Sequence, residues 1–252
     1  MTALIVSTDH GPIRELTLAR PPVNALNPAL CSALREAVEQ AIAAGVEGMV
    51  LAGGPKVFSA GLDVPHLLTI EDRGVLLAAW ESFFGAARAL AQCPVPVVAA
   101  FAGHAPAGGC VLALCCDYRV MASGPFRIGL NETQVGLSAP LGVMRLMQRV
   151  VGQHRAERLL VSGELVDAER ALAIGLVDEL ADIDHVALRA RVWLEELLKL
   201  PRKPMLDTRA AARADLVAAM GPESIQLDRF IAAWSEPDTQ AGLRALVAKL
   251  GK

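Results

Sequence analysis

Short apolar runs, glycine- and proline-rich loops and helical stretches alternate as far as about residue 180. This alternation limits the possible folds more than any other feature of the chain. "ALIVST" and "IRELTLA", separated by Gly11-Pro12, read as two strands and a turn. "GMVLAG" and "VPVVAAFAG" read as short buried strands, the second fixed at its start by Pro94 and Pro96, and "YRVMA" as a further strand. Helices intervene. Asn27 followed by Pro28 is a helix start, a capping side chain ahead of a residue whose fixed φ suits the first turn. Leu30, Leu34, Val38 and Ile42 then recur every fourth residue and mark a buried face, and Gly45 stops the helix. A second helical stretch is expected around residues 72 to 91. The pattern is that of an α/β fold with several β-β-α units in a row, which share no sequence with one another.

Beyond Leu180 the pattern is nearly all helical. "DTQAGLRALVAKL" places Leu243, Leu246, Val247 and Leu250 on one face, with Asp238 as the expected N-cap. Pro201 and Pro204 punctuate the start of this tail. The division expected is a core over residues 1–195 and a helical region over 196–252, whose apolar stripes cover the core or a partner subunit.

Length and composition fit this outline. A chain of 252 residues suits one large α/β domain, or one domain with an appendage. Hydrophobic residues make up 53%, and much of the excess is alanine, which fits tight helix packing better than a membrane. No run approaches the roughly 18 to 20 apolar residues a membrane span needs. The richest stretch, "CVLALCCDYRVMA", is broken by Asp117 and Arg119. A net charge of −3 without a basic block argues against nucleic acid as a partner. An anionic ligand would have to be held by backbone N–H groups and a few local cations. Cys31, Cys93, Cys110, Cys115 and Cys116 have no CxxC spacing and no histidine placed to join them, so no metal site is expected. They read as reduced core thiols of a cytoplasmic protein, and no signal peptide is read at the N-terminus.

Two glycine loops and one glutamate carry the candidate chemistry. "FSAGLD" leaves a buried strand and "PAGGC" enters a helix. Glycine allows close backbone approach at both, and the second adds the partnerless first N–H groups of a helix. Two such loops brought together would aim two N–H donors at one oxygen, the geometry that stabilises an oxyanion. Taken alone they read first as two tight turns in which glycine serves packing. Glu132 sits among Ile128, Leu130, Val135 and Leu137 with no lysine, histidine or second carboxylate within four residues. It reads either as a solvated or capping loop residue, or as a base whose pKa apolar surroundings raise.

"NALN", "VFSAGLDV", "PAGGCVLALCCDYRVMA", "IGLNETQVGL" and "RAERLLVSGELVDAERALAIGLVDEL" follow one another as in the crotonase, or enoyl-CoA hydratase/isomerase, superfamily. The chain resembles that superfamily over nearly its whole length, more weakly past about residue 195. "FSAGLD", "PAGGC" and "IGLNETQ" resemble its mitochondrial delta(3),delta(2)-enoyl-CoA isomerase branch rather than the hydratases. The resemblance implies a crotonase-like spiral of β-β-α units with a C-terminal helical oligomerisation region that builds a homotrimer or a dimer of trimers. It implies oxyanion donors at the N–H groups of Leu62 and Gly108, the latter next to Gly109. A CoA channel would run along Val23 to Ala25 and along Ala60, Gly61, Leu62, Asp63 and Val64. The acyl end would meet Asn131 and the helix starting near Pro140 and Leu141. The implied partner is an acyl-CoA thioester, with no cofactor beyond the coenzyme A of the substrate itself.

Departures from the resemblance point the same way. Hydratases of the superfamily activate water with two glutamates, one directly after the cysteine of the second loop; here that place is Val111, and only the other, Glu132, is present. Dienoyl-CoA isomerases add an aspartate about eight residues later; here that place is Pro140. A single carboxylate suits an isomerase in which Glu132 takes a proton from C2 of a 3-enoyl-CoA and returns it to C4, giving 2-trans-enoyl-CoA. Asn131 and Gln134 are expected to orient or border that carboxyl group. His104 reads as a packing or rim histidine rather than a second base, Asp63 as a cap or a ligand contact, and Arg20 as a phosphate contact or a solvated side chain. Ser59 and Ser138 lack a nucleophile-elbow context. Two alternatives stay open. One is another acyl-CoA enzyme of the same fold, such as a weak hydratase or thioester hydrolase. The other is a non-catalytic acyl-CoA-binding protein.

Overall fold

The computed structural model describes residues 3–250, and the side chain of Leu250 lies outside that description. In chain order the strands are β1 (Ile5–His10), β2 (Ile13–Leu18), β3 (Gly48–Ala52), β4 (Val97–Phe101) and β5 (Ala105–Pro106). They continue as β6 (Tyr118–Ala122), β7 (Arg127–Gly129), β8 (Val166–Asp167) and β9 (Glu179–Ala181). A large sheet has the order β1-β2-β3-β4-β6-β9, antiparallel between β1 and β2 and parallel from β2 onward. A small sheet joins β5, β7 and β8.

The helices of the core are α1 (Pro28–Ala43), α2 (Val64–Leu67), α3 (Arg73–Ala91), α4 (Gly108–Leu114) and α5 (Leu141–Val151). Next come α6 (Gln153–Ser162), α7 (Ala168–Ala173) and α8 (Val186–Leu198). Successive turns of the chain repeat one path: a strand of the large sheet, a short second-layer strand, then helix. β2 is followed by Leu26 and α1; β3 by Val57 and Leu62, then α2 and α3. β4 is followed by β5 and α4, and β6 by β7 and α5. In the second layer Leu26 bridges Leu62 and Val57 bridges His104. This is the expected α/β spiral of β-β-α units.

The large sheet is covered on both faces. Met49, Leu51, Val97, Ala99, Phe101 and Met121 pack with α1, α3 and α4. Val50, Val98, Ala100 and Val120 pack with Val186, Ala190 and Leu194 of α8. Strands buried on both faces read as unbroken apolar runs, which is why these did. α1 begins as expected: Asn27 Oδ1 accepts from the Leu30 N–H at 2.9 Å, and Gly45, at φ +76°, follows its last turn. The five cysteines are buried and free. Burial pushes the Cys93 thiol up to about 11 and Cys31 to about 12.

Residue 195 lies inside α8, which is part of the sheet packing. After it come α9 (Arg202–Ala212), α10 (Ala214–Ala219), α11 (Pro222–Ile225), α12 (Leu227–Trp234) and α13 (Pro237–Leu250). Arg209 and Arg213 tie this region to the core through Asp117, at 2.8 and 3.0 Å. α12 and α13 then fold back over their own chain. Phe230, Ile231, Trp234 and Leu243 are buried there, and Thr239 Oγ1 donates to the Gly136 carbonyl at 2.7 Å. Gly242 rides on Val135, where a Cβ would come within 2.5 Å of the carbonyl oxygen. One expectation is corrected: Asp238 is not the N-cap. Pro237 takes the first helical position and Asp238 lies within the first turn. Among the described residues no helix is long and apolar enough to cross a membrane.

Candidate active site

The first glycine loop is held by an unusually complete set of bonds to the segment after β2. Asn24, buried and at φ +50°, accepts from the Arg20 N–H at 2.8 Å and donates to the Phe58 carbonyl at 3.0 Å. Asparagine tolerates this left-handed conformation better than most residues. Ser59 Oγ donates to the Asn24 carbonyl at 2.8 Å and accepts from the Gly61 N–H at 3.2 Å. The Ala60 N–H donates to the Val23 carbonyl, Leu26 N–H to Gly61 and Asp63 N–H to Leu26, at 2.8 to 3.1 Å. Within this lattice the Leu62 N–H donates to nothing among the described residues.

The second loop meets the first. The Ala107 N–H donates to the Gly129 carbonyl at 2.8 Å, and Ala107 itself sits at φ +47°, ψ −118°, a conformation that costs an alanine energy. That turn sets Gly108 at the start of α4, where a first-turn N–H has no helical partner. A Cβ on Gly61 would lie 3.2 Å from the Gly108 nitrogen, and one on Gly108 would lie 2.7 Å from Leu62 Cδ2. Glycine suits both positions: the loops are in van der Waals contact, and Gly61 also sits at φ +83°, a conformation side chains rarely adopt. Gly109 has a different reason: its Cβ would strike the Ser59 carbonyl oxygen at 2.7 Å.

Glu132 opens a 3-10 turn, Glu132–Val135, just beyond β7. Thr133 Oγ1 donates to the Leu160 carbonyl at 3.2 Å and Gln134 Nε2 to the Ser162 carbonyl at 3.4 Å, which anchors the turn to α6. Gln134 is therefore spent on α6, and the expectation that it borders the carboxyl group is corrected. Glu132 is half-buried as a residue, but its Oε2 is shut off from solvent and has no hydrogen-bond partner. The Oδ1 of Asn131 is in the same condition. Among the described residues no cation pairs with Glu132. Burial penalises the ionised form, a hydrogen bond from the Glu132 backbone N–H opposes it only in part, and the pKa rises from its usual 4.5 to about 7.

Loops and turn enclose a cavity of about 540 Å³. Of the residues singled out in the sequence, Val23, Ala25, Ala60, Leu62, Asp63 and Val64 line one part of it. Gly108, Asn131, Glu132 and Pro140 line the rest, with Val111 beside them. Gly61 and Gly109 are buried behind the loops, and Leu141 is 45% exposed; none of the three forms part of the cavity wall. Arg20 is on the wall, but its guanidinium is tied to Asp63 Oδ2 and to the Ala25 carbonyl, each at 2.8 Å. Asp63 also caps α2 through the His66 N–H at 3.2 Å. His104 lies off the wall. Its Nδ1 accepts from the Arg127 N–H at 3.1 Å and its ring packs edge-on against Phe126, so it serves packing.

The sequence reading missed the aromatic part of the wall. Trp80, Phe83 and Phe84 come from α3, Phe230 and Trp234 from α12, and Leu243 and Leu246 from α13. The spacing of Trp80, Phe83 and Phe84 marks one helix face, as does that of Phe230 and Trp234. Nothing in the sequence pairs the two faces.

A family profile described as Enoyl-CoA hydratase/isomerase matches residues 8–250. Enoyl-CoA delta isomerase 1, mitochondrial, of Mus musculus is 33% identical over 98% of this chain and 87% of its own length. A probable enoyl-CoA hydratase of Mycobacterium avium is 35% identical over 82% of this chain and 80% of its own. The crystal structure of human mitochondrial delta3-delta2-enoyl-CoA isomerase superposes with a TM-score of 0.91 at 28% identity, covering 98% of each chain.

Proposed function

The chain belongs to the enoyl-CoA hydratase/isomerase family, and from that premise we propose that it is a delta(3),delta(2)-enoyl-CoA isomerase with Glu132 as its only acid–base group. The observation that carries this reading is the solitude of that carboxylate. Val111, not a second acid, shares the cavity wall with Glu132, and the other acidic side chain on that wall, Asp63, is held by Arg20. Hydration needs one group to deprotonate water while another delivers a proton to carbon. An isomerase needs one group that first takes a proton and then gives it back.

The chemistry follows from these residues. The thioester carbonyl oxygen sits between the N–H groups of Leu62 and Gly108, which donate to no group among the described residues. Charge developing on that oxygen as C2 loses its proton is met by fixed dipoles, and losing one such donor costs roughly 2.7–4 kcal/mol of barrier. Glu132 accepts the C2 proton as carboxylate and returns it to C4 as neutral acid. A pKa of about 7 leaves both forms accessible at neutral pH. The apolar walls keep out water that would compete for the proton. Substrate carries its own coenzyme A, so no further cofactor enters. With this activity go a cytoplasmic setting and a homotrimer or dimer of trimers built by the C-terminal helices.

The test is the absorbance of the conjugated thioester after adding 3-enoyl-CoA, with Glu132→Gln as control. Wild type converts the substrate, and the variant loses about 100- to 10,000-fold in kcat while still binding CoA esters. A variant with most of its activity intact, or a wild type that hydrates 2-enoyl-CoA faster than it isomerises 3-enoyl-CoA, overturns the proposal.

A further inference from the structure

Resting on the isomerase reading, we infer that a cluster of aromatic rings closes the inner end of the cavity and restricts the substrate to short- and medium-chain acyl groups, with Trp80 and Trp234 setting the limit. The cavity has an open end and a closed one. Pro21, Pro22, Ala60 and Pro65 on its wall are solvent-exposed and form the mouth, where the coenzyme A arm must enter. Leu62, Gly108 and Glu132 share the wall with Trp80, Phe83, Phe84, Phe230 and Trp234, which are only 1–6% exposed and so make up its buried end, with Phe83 3.3 Å from where a Cβ on Gly108 would stand.

These rings brace one another. Trp80 is the hub, with Phe230 edge-on at 4.5 Å, Trp234 edge-on at 5.3 Å and Phe84 stacked at 6.2 Å between centroids. Three of the five belong to α3 and two to α12, so the wall is a junction between core and C-terminal region. A chain that reaches it cannot push one ring aside without disturbing the others, and cores resist added volume.

The available space agrees with a chain of limited length. At about 30 Å³ per non-hydrogen atom, the share of a water molecule in the liquid, a cavity of about 540 Å³ holds on the order of 18 atoms. The thioester group, C2 to C4 and the nearest part of the pantetheine arm take roughly half. What remains, roughly nine atoms, carries the chain on from C5 to about thirteen carbons in all.

Two length series test this. One measures kcat/KM for 3-enoyl-CoAs from about six to sixteen carbons. The other measures binding of saturated acyl-CoAs of the same lengths, which needs no chemistry. Both fall by about tenfold or more between twelve and sixteen carbons, since one methylene too many in an apolar pocket is worth roughly 10- to 200-fold. Trp234→Ala moves the fall to longer chains, and the milder Phe230→Leu moves it less. Phe230→Leu also supplies a result if the tryptophan variant does not fold. A wild-type profile flat to sixteen carbons, or variants that leave the fall in place, overturns the inference. If saturated esters show the fall while no 3-enoyl-CoA is converted, the wall stands and the isomerase reading fails.

Discussion

Asp117 and Glu132 are acidic side chains largely withdrawn from water, and their surroundings differ in kind. The Asp117 side chain, 10% exposed, accepts from Arg209 Nε and Nη2 at 2.8 Å, from Arg213 Nη1 at 3.0 Å and from the Val97 N–H at 2.8 Å. Its oxygens are saturated, and it anchors the C-terminal helices to the sheet. Glu132 has an oxygen with no partner, and among the described residues no cation pairs with it. A buried acid that holds the fold together needs its charge matched from every side. A buried acid that moves protons must be left unmatched, so that gaining or losing a proton is nearly free at working pH. The same residue chemistry thus serves architecture at one place and reactivity at the other.

The contrast can be broken by substitution. Glu132→Gln removes turnover and leaves the fold intact, whereas Asp117→Asn should do the reverse. Leaving two buried arginines short of their anion costs about 3–5 kcal/mol of unfolding free energy, read from denaturant midpoints. The kcat per folded molecule stays near that of wild type. If Asp117→Asn lowers kcat as much as Glu132→Gln does, the division between structural and reactive acid is wrong.

A smaller effect concerns stability against pH. Because the folded-state pKa of Glu132 is raised to about 7 from 4.5, the folded protein holds a proton that the unfolded chain has already released. Ionisation of Glu132 therefore costs no stability below about pH 4.5, costs increasingly as pH rises from 4.5 to 7, and levels off above that. Glu132→Gln should be more stable than wild type by on the order of 1–3 kcal/mol at pH 8, and close to equal at pH 4. Matched denaturation curves at the two pH values check this, and a gain independent of pH would contradict it.

The smallest effect sharpens the point about solitude. Val111→Glu sets a second carboxylate on the same cavity wall. Like charges in one site disfavour double ionisation, so the ascending limb of the isomerase pH–rate profile should move upward by about one unit. An unmoved limb would mean the two side chains do not sense each other.

What could be read from the chain alone was what local chemistry dictates. The buried strands, the Asn27–Pro28 helix start and both glycine loops announced themselves within a few residues. Glu132 stood out because no charge of either sign lay within four residues in sequence, and among the described residues the fold pairs none with it. The same helix-start rule, applied at Glu236–Pro237, would have moved the last cap off Asp238. Gln134 misled because a 3-10 turn points side chains two apart in different directions, and the Ser162 carbonyl was waiting on the far side. The ring cluster and the Asp117 anchor were hidden for one reason: each joins residues about a hundred or more positions apart, through helix pairings that no periodicity specifies.

The most direct test of the central claim is a carbon-13 NMR titration of side-chain-labelled glutamates, comparing wild type with Glu132→Gln. The resonance missing from the variant should titrate near 7 in wild type, in keeping with an unpaired acid in an apolar enclosure. A midpoint between 4 and 5, that of an ordinary solvated glutamate, would contradict the account.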